Sequence, residues 1–197
     1  MQQWGIIVLV GVFLASCHST PECKCSVNQK ILDENYKYQA NLQRVKLEEA
    51  ALLDIKEPVL SELSYTTYRA RYISGKTTRL LRFGDSPSGY YMEYKVLTPH
   101  TSGMGTRVEV DEHIIQPLSD AQYERWVKVV ESSCLWTARS QPDKRAVSAY
   151  WIVELWEPAG NSCSGETFQV VERLAGTGSI AEEVAVDLMT LANVSGH

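Results

Sequence analysis

Between Leu63 and Gly84 the chain carries Arg69, Arg71, Lys76, Arg79 and Arg82 and not one acid, although its overall formal charge is −5. A guanidinium binds carboxylates and phosphates through two parallel hydrogen bonds. Arg69 and Arg71 therefore mark a candidate surface for lipid phosphates or acidic glycans. A solvated hairpin, or charges guarding a sheet edge, accounts for the same residues without a ligand. On either view they are surface residues. Arg69→Gln with Arg71→Gln is then expected to weaken a salt-sensitive binding while stability changes little. A second constellation lies in residues 147–173. Strict alternation puts Trp151, Val153 and Leu155 on one face of a strand and Tyr150, Ile152, Glu154 and Trp156 on the other. If Phe168 and Val170 share the first face on a neighbouring strand, Arg173 joins Glu154 on the second. That pair, set among Tyr150 and Trp156, would grip a polar ligand or serve as a cross-strand ion pair.

Proton transfer has few candidates. Asp111-Glu112-His113 and His100 are the clustered ones, but neighbouring side chains of a strand point to opposite faces, so they do not converge. No Gly-x-Ser-x-Gly elbow is present. Cys134 and Cys163 stand 29 residues apart with no histidine between them, which is not a zinc spacing. We assign no catalytic residue, no metal and no cofactor from the sequence. Export (below) makes Cys23, Cys25, Cys134 and Cys163 disulfide candidates. Four cysteines allow three pairings; because a Cys-x-Cys bond closes a strained ring, Cys134–Cys163 is preferred.

The elements that must carry these residues follow from periodicity. Residues 29–56 hold Tyr38, Leu42, Val45, Leu52 and Ile55 on one stripe, an amphipathic helix ended by Pro58. Strands are expected over 68–72, 77–83, 90–96 and 106–115, joined by tight turns as antiparallel hairpins. Met92 and Tyr94 lie on one side of the third strand, Glu93 and Lys95 on the other. Ser119-x-x-Gln122 opens a helix with Tyr123, Trp126, Val127 and Val130 inward. Further strands are expected near 134–138, 147–157 and 166–173. Ser179-x-x-Glu182 then opens a closing helix. The class is α+β: an antiparallel sheet of six to seven strands with helices packed on it, preceded by an N-terminal helix.

The start of the chain gives an address. Ile6 to Ala15 is apolar apart from Gly11 and ends in Leu14-Ala15-Ser16-Cys17. The run is about half the roughly 20 residues that span a bilayer, and suits a secretory h-region with a cleavage site. Small residues before a cysteine resemble the lipobox of bacterial lipoproteins. That resemblance implies cleavage after Ser16, a lipid on Cys17 and attachment to the cell envelope on the periplasmic side; His18, not being Asp, points to the outer membrane. Residues 1–16 are thus a signal peptide, 17–28 a tether reaching up to roughly 35 Å, and 29–195 one domain.

From Leu135 to Leu191, about a third of the chain, the sequence also resembles a group of small uncharacterised bacterial lipoproteins. The shared features are Leu135-Trp136, then Trp151-Ile152-Val153-Glu154, then Val171-Glu172-Arg173 and a closing apolar helix. Ser148-Ala149 and Phe168-Gln169 depart from that group's Asp-Gly and Tyr-His. The resemblance brings a fold and an export route but no chemistry. The expectation is a lipid-anchored envelope protein that binds or scaffolds, partnered by the membrane through its lipid and by an anionic envelope component or another envelope protein. An acidic chain offers nucleic acid no global attraction. The alternative is an envelope hydrolase acting on polysaccharide or peptidoglycan through Glu154 or His113.

Overall fold

The structure, a computed structural model, describes residues 52–103, 105–138, 149–162, 164–176 and 178–194. Six strands form one antiparallel sheet: β1 (Thr67–Ser74), β2 (Thr77–Ser86), β3 (Gly89–Ser102), β4 (Gly105–Pro117), β5 (Ala149–Trp156) and β6 (Phe168–Leu174). Their order across the sheet is β4-β3-β2-β1-β5-β6. The class is α+β, with α1 (Asp120–Glu131) and α2 (Ile180–Leu191). The stretch expected as a strand near 134–138 is instead a 3-10 turn, Leu135–Thr137. Of the expected N-terminal helix, residues 52–56 fall in the described region: 52–54 are helical and 55–56 form a turn. The expected signal peptide and tether, and residues 29–51, lie outside it.

Local chemistry explains the joints. Gly75, at φ 57, supplies the left-handed residue of the two-residue β1–β2 turn. A Cβ on Gly84 would stand 2.7 Å from the Thr66 carbonyl, so glycine is what lets β2 approach β1 there. Between β3 and β4 the register slips: Val96 faces Glu112 but Leu97 faces Val110, leaving Asp111 as the extra residue of a bulge. The Ser119 side chain accepts the Gln122 amide and Gln122 returns to the Ser119 amide, a complete capping box. At α2 the box is half made. Ser179 accepts the Glu182 amide, but the Glu182 carboxylate accepts from Gly176 N and Gly178 N at 2.6 and 2.8 Å.

One sheet face is the core. The alternating residues Tyr68, Ala70, Leu81, Phe83, Met92, Tyr94, Trp151, Val153, Leu155 and Val171 are buried beneath Trp126 and Val130 of α1 and Val184, Leu188 and Met189 of α2. Aromatic packing is tight: Phe83 meets Trp126 edge-on at 5.0 Å and Tyr90 stacks on Tyr123 at 4.0 Å. Each such side chain contributes about 1.5–3 kcal/mol by burial, which makes this face the main source of stability. The other face carries the charges.

Candidate functional site

On the second face, directly opposed residues share a side, so the pairing register reads out rows. The central row runs Val170, Glu154, Arg69, Arg82, Glu93, Ile115 from β6 to β4. The upper row runs Glu172, Ile152, Arg71, Leu80, Lys95, His113. Arg69 and Arg82 therefore stand directly opposite each other, a pairing that repels unless an acid lies between them. Glu57 supplies that acid from above.

The chain reaches that point by a specific turn. Lys56 N donates to Leu53 O and Glu57 N to Leu52 O, with Lys56 left-handed at φ 55; this is the Schellman ending of a helix. It drops the Glu57 side chain, 0% exposed, onto three cations. Glu57 Oε2 accepts from Lys95 Nζ at 2.6 Å. Its Oε1 lies 2.8 Å from Arg82 Nε and 3.7 Å from Arg69 Nη1. The Arg82 contact is an ion pair without hydrogen-bond alignment, for both atoms lack a hydrogen-bond partner. Arg69 Nη1 also donates to the Pro58 carbonyl.

Glu154 and Glu93 close the network on either side. Arg69 grips Glu154 through Nε and Nη2, both at 2.7 Å, and Arg71 Nε donates to the same carboxylate at 3.0 Å. Burial alone would raise the Glu154 pKa, but the charges and hydrogen bonds of Arg71 and Arg69 outweigh it and hold the carboxyl at about 2. Glu93 is likewise held low against its burial by Lys95, Arg82 and His113. Arg82 pairs with Glu93 and donates to the Tyr91 hydroxyl, and His113 Nε2 lies 2.7 Å from Glu93 Oε1.

The arginines are therefore not a solvated hairpin. Arg69, Arg71 and Arg82 are 5–7% exposed and their positive charge is met by Glu57, Glu93 and Glu154. The expectation that Arg69→Gln and Arg71→Gln leave stability unchanged does not hold, since either would strip a partner from a buried carboxylate. Arg79 sits apart, opposite Tyr72 and Val96.

The second expected constellation is divided. Glu154 faces Val170, and Arg173 faces Trp151, so Glu154 and Arg173 lie on opposite faces. The assumption about Phe168 placed β6 one residue out of register, which inverts every face. Arg173, its pKa lowered by burial, donates to the Glu172 carbonyl. Tyr150 and Trp156 do share the Glu154 face by alternation. Trp156 Nε1 donates to the Leu63 carbonyl and its ring meets Phe168 edge-on at 6.4 Å. His100 lies near Glu109 and Asp111 at 3.8 and 3.9 Å on the exposed hairpin, away from His113. Among the described residues no three His, Cys, Asp or Glu side chains could hold one metal ion. Cys134 is disulfide-bonded; Cys163, its expected partner, lies outside the described residues.

Beside the network is a groove of about 460 Å³. Arg69, Arg71 and Glu154 lie along it, with Ile152, Val170 and Phe168 on the sheet side and Leu52, Leu53 and Val59 opposite. Leu53, Val59 and Phe168 are 68, 46 and 41% exposed, three of the five large apolar residues that the described surface exposes. Their gathering around one groove is what alternation could not show. Glu57, the network's keystone, was also invisible, because nothing in Lys56-Glu57-Pro58 sets it apart from an ordinary helix end. No family model, curated protein or solved structure matches the chain.

Proposed function

We propose that the protein is a lipid-anchored cell-envelope module that acts by binding, holding another envelope protein in the groove beside Glu154. The observation that carries this reading is the clustering of Leu53, Val59 and Phe168 around a concave site, since a contiguous exposed apolar patch marks an interaction surface. The groove's arginines already face Glu154, so an apolar protein segment suits it better than an anionic lipid or glycan. Glu154, on which a hydrolase would rest, is held at about 2 by two arginines. A carboxyl that acidic is a poor proton donor or acceptor near neutral pH.

Leu53→Asp with Val59→Asp tests the site. Exposed substitutions usually change stability by about 0.5 kcal/mol or less, so the fold should persist. In a pull-down from detergent-solubilised envelope, proteins retained by the wild type should be lost with this variant. Equal retention by both would remove the groove from the account.

The lipid carries the address. Cys17→Ser is expected to shift the protein from the membrane fraction to the soluble one, or to leave the signal peptide uncleaved. Wild type should incorporate a fatty-acid analogue. An unlabelled wild type whose mature N-terminus lies elsewhere would contradict the anchor.

A further inference from the structure

Arg69, Arg71 and Arg82 are met by buried carboxylates, but Arg79 is not. Alternation puts it on the helix-bearing face with Leu81 and Phe83, where its direct neighbours are Tyr72 and Val96. The acid of that row, Glu112, stands beyond Val96, roughly 10 Å from Arg79 at two strand spacings. Among the described residues no carboxylate pairs with Arg79. It donates to the hydroxyl of buried Tyr94, which takes part of its five-donor fork and fixes the guanidinium at the margin of the core. Arg79 lines a recess of about 310 Å³ together with Tyr72, Ser74 and Thr77. Ser74 and Thr77 are directly opposed at the end of the hairpin, so their hydroxyls stand side by side on the Arg79 face. Both residues are half-buried, and neither hydroxyl hydrogen-bonds another described group. Lys76, exposed in the turn, adds a second cation next to them.

We propose that this recess binds a phosphate group, carried by a small soluble molecule or by a lipid headgroup. The choice of anion follows from the donors. The guanidinium N–H groups left over from Tyr94 can hold two oxygens in parallel, and the Ser74 and Thr77 hydroxyls can donate to a third. A carboxylate has only two oxygens and would leave the hydroxyls without an acceptor. The volume, about 310 Å³, is at the lower end of small-molecule sites and takes a phosphate with part of the molecule that bears it. The recess and the groove beside Glu154 lie on opposite faces of the sheet, so this site is separate from the one proposed for a partner protein.

Titrating the detergent-solubilised mature protein with inorganic phosphate tests the site, read by amide NMR at constant ionic strength. Saturable shifts should centre on residues 74–79, and chloride should not reproduce them. Arg79→Gln should weaken binding about tenfold or more, the factor that one charge-assisted hydrogen bond carries. Arg79→Lys should weaken it too, because a point charge replaces the fork. Glycerol phosphate and short-chain phosphatidic acid then separate the sources. Tighter binding of the second assigns a lipid headgroup; equal or weaker binding assigns a soluble phosphate. Removing Arg79 strips no buried carboxylate of its partner, so the fold should persist. If it does not, Ser74→Ala with Thr77→Val must lower the affinity, and undiminished binding there would overturn the proposal. So would the lack of a saturable shift at residues 74–79, shifts that chloride matches, or full affinity in a folded Arg79→Gln protein.

Discussion

Glu57→Ala should destabilise the protein by about 3–5 kcal/mol, the cost of breaking a buried ion network by removing one partner. The magnitude follows from geometry. Glu57 is fully buried and touches Arg82, Lys95 and Arg69, and among the described residues it is the only acid set between the opposed arginines of the central row. Without it Arg69 and Arg82 face each other across adjacent strands, with Glu154 and Glu93 on their outer sides. Against a typical stability of about 5–15 kcal/mol, such a loss is a large fraction of the whole. Glu57→Gln keeps the shape and two polar atoms while removing the charge, so it separates electrostatics from the cavity left by truncation. Urea unfolding of the three proteins measures the difference. A loss below about 1 kcal/mol for Glu57→Ala, the size of an exposed ion pair, would mean that the network is solvated.

The second large effect is acid sensitivity through Glu154. Its carboxyl is held at about 2 against an ordinary 4.5, so the unfolded chain binds this proton more readily than the folded one. The stabilisation is complete above pH 4.5 and is lost as pH falls towards 2. At 1.36 kcal/mol per unit, the shift is worth about 3 kcal/mol. Glu93, also held low, adds to the slope in the acid range. Glu154→Gln should cost several kcal/mol at neutral pH, because Arg69 and Arg71 lose their shared anion in a buried site. It should also flatten stability between pH 4.5 and 2. Thermal unfolding of wild type and variant across that range reads both effects. Parallel curves for the two proteins would show that Glu154 is not the titrating group.

Periodicity was informative wherever a single face met a single environment. Trp151, Val153 and Leu155 share one face as expected, as do Met92 and Tyr94, and both sets lie in the core; in Met92-Glu93-Tyr94-Lys95 apolar and charged residues alternate strictly. The helix at Ser119 was visible because its capping box is local. Two features were beyond that logic. Arg69, Arg71, Arg82, Glu93 and Lys95 alternate with apolar residues as solvent-facing charges do, and only the descent of Glu57 onto them turns a polar face into a buried network. That contact joins residues 38 apart in the chain to Lys95, a separation over which no local pattern operates. The face of β6 depended on register with β5, and Phe168-Gln169-Val170-Val171 is too evenly apolar to fix it. The groove arises from both at once, so its exposed residues, drawn from a helix end, a connection and an edge strand, could be assembled only in three dimensions.

The central claim is that this groove receives an envelope protein, and photo-crosslinking in living cells tests it most directly. A photo-reactive side chain at Phe168, on the rim and 41% exposed, would be activated in cells that export and anchor the protein. The account predicts a discrete heavier adduct containing a second envelope protein, absent when Leu53→Asp and Val59→Asp are introduced. An anchored, folded protein that yields no adduct at Phe168, or an adduct that persists unchanged in that variant, would contradict it.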